Sequence, residues 1–185
     1  MKEQTDLRKI LKAGVLSNEL DLERAQILDR KLRLLTKEHP ELTEDRKRLR
    51  AVIKLYEKTN WSNESTINEA KIKESDDAEF IAEQERVFLE NRKKIIKEHL
   101  TKFNLNQQDL GKLLGHGKSY MSELMNGISP FSNRDLIILH RLFHIKLEHL
   151  IPTIISEEDR SKIKNSLSKL NKPELKLEKE DLVFS

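Results

Sequence analysis

The sequence predicts an all-α protein: a bundle of five helices, preceded by an N-terminal helical hairpin and followed by a partly mobile tail. Three observations carry this. Glycine and proline are scarce, at five and four in 185 residues, while Lys, Glu, Leu and Ile dominate, so turns are few and helix formers abundant. Apolar residues recur at three- and four-residue spacing over most of the chain. Charged residues equal the hydrophobic ones at 36% and aromatics reach only 5%, which suits helices with wet faces around modest cores better than one core spanning every residue.

Taken in order, Leu7, Ile10 and Leu11 have helical spacing that Gly14 stops. A firmer helix starts at Ser17 or Asn18, with Glu19 and Asp21 in its first turn and Ala25, Leu28, Leu32 and Leu35 along one stripe, and ends at Glu38-His39-Pro40. Thr43 is expected to cap the next helix, whose positive end is met by Glu44 and Asp45 and whose stripe is Leu49, Val52, Ile53 and Tyr56. These stripes must be buried, either on each other and the rest of the chain or against a second protein. Residues 59–77 are polar and aperiodic and read as a linker, in which Trp61 is expected to tuck against a neighbouring helix. From Ala78 a long helix resumes through Phe80, Ile81, Val87, Phe88, Ile95, Ile96 and Leu100, with no break until Phe103-Asn104. Arg92, Lys93, Lys94 and Lys97 in its second half form either a solvated or a phosphate-facing surface. The chain thus divides into an N-terminal helical region at 1–58 for dimerisation or for binding a second protein, a linker at 59–77, a helix-turn-helix domain at 78–152, and a C-terminal helix and flexible tail at 153–185.

The organising stretch is NQQDLGKLLGHGKSYMSELMNG, Asn106 to Gly127. Asn106 with Asp109 makes a capping box, so a helix starts there and exposes Gln107 in its first turn. Gly111 in mid-helix costs about 1 kcal/mol against alanine, which implies that another element passes close by. Gly115 supplies a left-handed residue that ends the helix, and His116 and Gly117 turn the chain. A second helix from Lys118 to Asn126 puts Met121, Leu124 and Met125 on one face and Lys118, Ser119, Ser122 and Glu123 on the other. An exposed row of small polar and basic residues suits insertion into the major groove of DNA, whereas an ordinary helical hairpin would need no such row. Beyond Gly127 and Pro130, Ser132 and Asp135 form a further capping box for a helix carrying Leu136, Ile137, Leu139, Leu142 and Phe143. A short fifth helix at 147–151 stops at Pro152, and another helix around Glu157 to Leu170 precedes the tail.

Several classes of chemistry find no support in these residues. There is no cysteine, which removes disulfides and thiolate metal sites and fits a reducing compartment. His140, His144 and His149 lack a completing carboxylate or thiolate, GHGK at 115–118 is too short for a phosphate loop, and no strained nucleophile elbow occurs. The expectation is a non-enzyme without metal or cofactor. No apolar run is long enough to span a bilayer and the N-terminus lacks the core of a signal peptide, so a cytoplasmic protein without membrane contact is expected. The net charge of +3 hides strong segregation: +4 over 1–58, −6 over 59–85, +4 over 86–103, and only +1 over 104–151. Phosphate contacts dominate DNA affinity, so one nearly neutral helix-turn-helix should bind weakly and would need a second copy or help from the basic helix before it.

At QQDLGKLLG, SYMSELMNG and the following F…L…LF.I…LI the chain resembles the phage-repressor-like, or XRE-type, helix-turn-helix family over about 86–152. KSYMSELMNGISPF with LHRLFHIKLEHLI, preceded by the helical segment ending RAVIKLYE, looks more narrowly like HigA-type antitoxins over about 17–152. The resemblance implies a repressor-like bundle that binds double-stranded operator DNA as a homodimer, represses its own operon, and neutralises a cognate toxin, an mRNA interferase, by direct binding. It implies that Gln107 fixes the first helix against a phosphate, that Gly117, Lys118, Ser119, Ser122 and Glu123 face the groove, and that Arg134 takes a second phosphate. His116 and Glu123 depart from the pattern, the first being usually small or apolar and the second often an amide or a base. Other readings of the same residues are a stand-alone regulator without a toxin, and a protein-binding module that has lost DNA contact.

Overall fold

The computed structural model describes residues 6–63, 67–152, 157–170 and 174–175. The tail expected to be mobile beyond Leu170 lies, apart from 174–175, outside them. Among the described residues the chain is helical, with no strand.

Helix α1, Leu7–Ala13, starts where Asp6 accepts a hydrogen bond from the Arg8 N–H and stops at the left-handed Gly14. Helix α2, Glu19–Leu35, is capped by the Asn18 side chain on the Asp21 N–H. It ends sooner than expected, and Pro40–Leu42 forms a single 3-10 turn that leads directly into α3, Thr43–Asn60. Thr43 is therefore the first residue of α3 and not its cap. A capping residue needs extended backbone, whereas Leu42 and Thr43 both have right-handed helical angles and no side-chain cap bond forms.

Helix α4 runs from Glu69 to Lys102, 34 residues and so about 50 Å long. Its start corrects the expected linker, which shrinks from 59–77 to the residues between Asn60 and Glu69. The first turns carry no apolar stripe because other contacts hold them. Asn68 caps the Lys71 N–H, the Lys71 ammonium sits 4.6 Å over the Trp61 ring and bonds the Asn60 carbonyl, and Ala78 and Ala82 are buried. Trp61 does pack against its neighbours, but through a polar anchor. Its indole N–H lies 3.1 Å from both carboxylate oxygens of Glu19, a buried acid that also accepts from the Tyr56 hydroxyl at 3.0 Å. Burial first, and then the bond to Glu19, raises the Tyr56 pKa well above the ordinary phenol range.

Helices α5 (Gln107–Leu114), α6 (Lys118–Asn126) and α7 (Asn133–Phe143) follow with the expected caps. The fifth helix expected at 147–151 is a single 3-10 turn, Leu147–His149, and α8 covers Glu157–Leu170. Helices α4, α5 and α6 end with the same closure. A left-handed residue, Asn104, Gly115 or Gly127, lets two backbone N–H groups reach back to the last-turn carbonyls.

Two apolar clusters result. One joins Ile96 and Leu100 of α4 to Leu110, Leu114, Met121, Leu124, Met125, Leu139 and Phe143 of the three short helices, and closes on Ile145 and Leu150. The other joins Leu7, Leu22, Ala25, Leu28 and Leu32 to Leu42, Leu49 and Ile53, and includes Ile128. The stripes of the N-terminal hairpin are thus consumed within the chain. Ile128 is distant in sequence, directly after α6, and its carbonyl accepts from the Leu7 N–H at 3.2 Å. Arg24 of α2 makes a two-point ion pair with Glu85 of α4. Arg92 is 3% exposed, lies over the Phe131 ring at 5.1 Å, and donates to the Leu150 carbonyl at 3.2 Å, with burial lowering its pKa to about 10.

Because Ile128 is fully buried and links the N-terminal layer to α6, Ile128→Ala should cost about 2–5 kcal/mol in urea unfolding. It should also loosen α1 more than α5, as amide hydrogen exchange of the two helices would show.

Candidate nucleic-acid interface

The turn between α5 and α6 is built around a close approach. A β-carbon on Gly111 would lie 2.8 Å from the His116 carbonyl oxygen and 3.7 Å from the Met121 side chain. The element that passes close to Gly111 is therefore the turn itself, backed by α6. Gly115, at φ 79°, directs the His116 N–H onto the Gly111 carbonyl at 2.7 Å. His116, unusual for this turn, has a structural partner: its Nε2 lies 3.0 Å from Asp135 Oδ1, off the line of a directed hydrogen bond, and its ring meets Tyr120 edge-on at 5.1 Å.

Met121, Leu124 and Met125 are buried, as their spacing predicts, which turns the opposite face of α6 outward. That face is not uniform. At its start, Gly117, Lys118 and Ser119 are exposed, and Lys118 lines a concavity of about 360 Å³ with Asn106, Gln107 and Gln108 at the beginning of α5. Gln107 and Lys118 are thereby brought together where α6 begins with no side chain capping its first N–H groups, next to the start of α5, which Asn106 caps.

Further along, the N-terminal layer covers the face. Ser119 Oγ donates to Glu41 at 3.3 Å, and Ser122 Oγ lies 3.2 Å from His39 Nε2, while His39 Nδ1 is 3.1 Å from the same Glu41 carboxylate. Hydrogen bonds from backbone, His39 and Ser119 hold the Glu41 carboxyl below its usual range, in that order of weight. Glu123 is only 12% exposed. It pairs with Arg8 at 3.0 Å and accepts from Ser129 at 2.9 Å, so it is bound within the chain and does not point freely at a groove. Arg8 also stacks at 5.0 Å on Tyr120.

Arg134 stands apart from the others. Its guanidinium is exposed, but Nη1 donates to the Leu114 carbonyl at 2.9 Å and so caps the C-terminal end of α5, away from Gln107. Of the seven residues expected in the interface, Gln107, Gly117 and Lys118 therefore form one open patch, Ser119 at its edge is bonded to Glu41, Ser122 and Glu123 lie beneath the N-terminal layer, and Arg134 is at the other end of α5. Sequence reasoning missed Arg8, His39 and Glu41. The one local signal was Glu123 itself, an acid in an otherwise polar and basic row.

The C-terminal end of α6 is also engaged. Lys31 Nζ donates to the Asn126 carbonyl at 3.3 Å and Lys93 Nζ to its side-chain oxygen at 2.6 Å. Burial lowers the Lys31 pKa to about 8, opposed by Glu90 and reinforced by Arg86, Lys93 and Arg92. Lys93 is lowered as well, first by burial and then by Lys97. This part of the basic helix is thus turned into the fold. Lys94 and Lys97, with Glu90, Glu98 and Thr101, line a shallow surface groove.

His140 Nδ1 bonds the Ile145 carbonyl at 2.7 Å, His144 takes the left-handed position that ends α7, and His149 lies beside Glu148. No group of three or more metal-ligating side chains occurs among the described residues, and none of their helices is long and apolar enough to cross a membrane. No family model, curated protein or solved structure matches the chain.

Gly111→Ala forces a methyl against a backbone carbonyl, so it should destabilise the fold by about 1–3 kcal/mol in thermal or urea unfolding despite alanine's better helix propensity. Lys31 has a folded pKa below its unfolded value, so the unfolded chain binds more protons between about pH 8 and 10.5 and stability rises with pH across that window. Lys31→Met removes this slope. The stability of the variant relative to wild type should fall by up to about 3 kcal/mol between pH 7 and 10.5.

Proposed function

We propose that the chain is a cytoplasmic, sequence-specific DNA-binding protein with a repressor-like helix-turn-helix bundle, and specifically an antitoxin that represses its own operon as a homodimer and neutralises an mRNA-interferase toxin by direct binding. The observation that carries the DNA reading is the open patch at the start of α6, where Lys118 and Gln107 line one concavity beside the exposed Gly117. This arrangement offers a cation, a side-chain amide and the first backbone N–H groups of α6 to a phosphate. The antitoxin reading draws on the separate N-terminal layer. Its inner stripes are spent on the fold, so toxin binding falls to its outer surface, where Leu34 and Leu55 are exposed.

A second reading, a protein-binding module without DNA contact, is favoured by one observation: Ser122 and Glu123 are already bonded to His39 and Arg8. Fluorescence anisotropy with duplexes selected from a random pool separates the two. DNA binding should weaken steeply with salt, and Lys118→Ala should reduce the slope of log K against log salt by about 1 while weakening all sequences alike. Absence of binding to any duplex at low salt would leave the protein-binding reading. Copurification of a small basic protein encoded next to this chain tests the toxin arm.

A further inference from the structure

We infer that the connector between α2 and α3 is a strap that holds the reading face of α6 closed, so that duplex binding requires its release; this rests on the DNA-binding reading above. The connector is short, and it crosses α6 at the two positions that follow Lys118 on the outward face. Ser119 is bonded to Glu41 at 3.3 Å and Ser122 meets His39 at 3.2 Å.

Two constraints make this contact incompatible with base reading. A base edge must come within about 3 Å of the side chain that reads it, and the His39 ring and the Glu41 carboxylate already occupy that distance from Ser122 and Ser119. A major groove about 12 Å wide accepts one helix, whose own diameter with side chains is about 10–12 Å. It has no room for α6 together with the turn Pro40–Leu42 lying on it. Glu41 adds charge to bulk. An ionised carboxylate over the entry of the helix repels the phosphates on both sides of the groove.

The strap can open without unfolding its surroundings. Leu42 at its C-terminal end is buried, whereas Pro40 and Glu41 are exposed, and the ties to α6 run through the side chains of His39 and Glu41. The hairpin of α2 and α3 has its own anchors in Arg46–Asp29, Arg24–Glu85 and the buried leucines. A ligand that binds better to the released form shifts the population toward it by its difference in affinity for the two forms.

The chain has no cysteine, so a thiol placed under the strap reports on it alone. In Ser122→Cys the rate of labelling by a thiol reagent should rise about tenfold when His39→Ala and Glu41→Ala are added, the factor that loss of contacts worth about 1.4 kcal/mol gives. Without the cysteine, the same pair of changes should tighten binding to a mixed-sequence duplex pool of about 30 base pairs, three helical turns, by a similar factor. Glu44→Gln, which removes an equal charge away from α6, should change that binding by no more than about twofold. An unchanged labelling rate overturns the strap whatever the DNA result. Faster labelling with equal duplex affinity in wild type and variant overturns its gating role while leaving the DNA reading intact. Faster labelling with no duplex bound by either form at low salt overturns the DNA reading and the gate together.

Discussion

The arrangement of this molecule depends on where Ile128 is buried. The left-handed Gly127 ends α6 by sending the Ile128 N–H back to the Glu123 carbonyl, and that closure throws the Ile128 side chain away from the cluster that α6 itself helps to form. It enters the N-terminal cluster instead, among leucines of α2 and α3. One side chain thereby belongs to the second core while the helix before it belongs to the first. The orientation of α6 to the N-terminal layer is set by apolar burial, with the polar contacts of Arg8, His39 and Lys31 arranged around it.

The composition of α6 is the result of two demands on one face. Its entry stays open at Gly117 and Lys118, while the residues from Ser119 onward are matched to partners in the layer above. Glu123 makes sense on the second demand. An acid facing phosphates would be unfavourable, but one held between Arg8 and Ser129 is paired with a guanidinium and gives the buried Ser129 hydroxyl an acceptor. His116 likewise has a place within the fold, its Nε2 lying 3.0 Å from the buried Asp135 carboxylate and its ring against Tyr120.

Local rules made much of this architecture readable in advance. Asn18, Asn106 and Ser132 cap the helices they precede, Gly14, Gly115 and Gly127 end those before them, and Met121, Leu124 and Met125 point inward as their spacing requires. Local rules also account for the errors. Thr43 has the right chemistry for a cap, but a capping residue is defined by the backbone entering it, and Pro40 had already started a turn. The first turns of α4 carry no apolar stripe because Asn68, the Lys71 stem and two alanines hold them, so periodicity had nothing to register. The covering of α6 was not legible because it is wholly non-local. Arg8, His39 and Glu41 lie 78 to 115 positions from their partners in the chain, and no spacing rule connects such residues.

The anchoring of Trp61 on Glu19 has an optical consequence. The chain contains one tryptophan, placed where α3 ends, with a carboxylate at its indole nitrogen and an ammonium over its ring. Both charges sit close enough to shift the energy of the excited indole. The intrinsic fluorescence of the unmodified protein is therefore a built-in gauge of the joint between the N-terminal hairpin and the long helix.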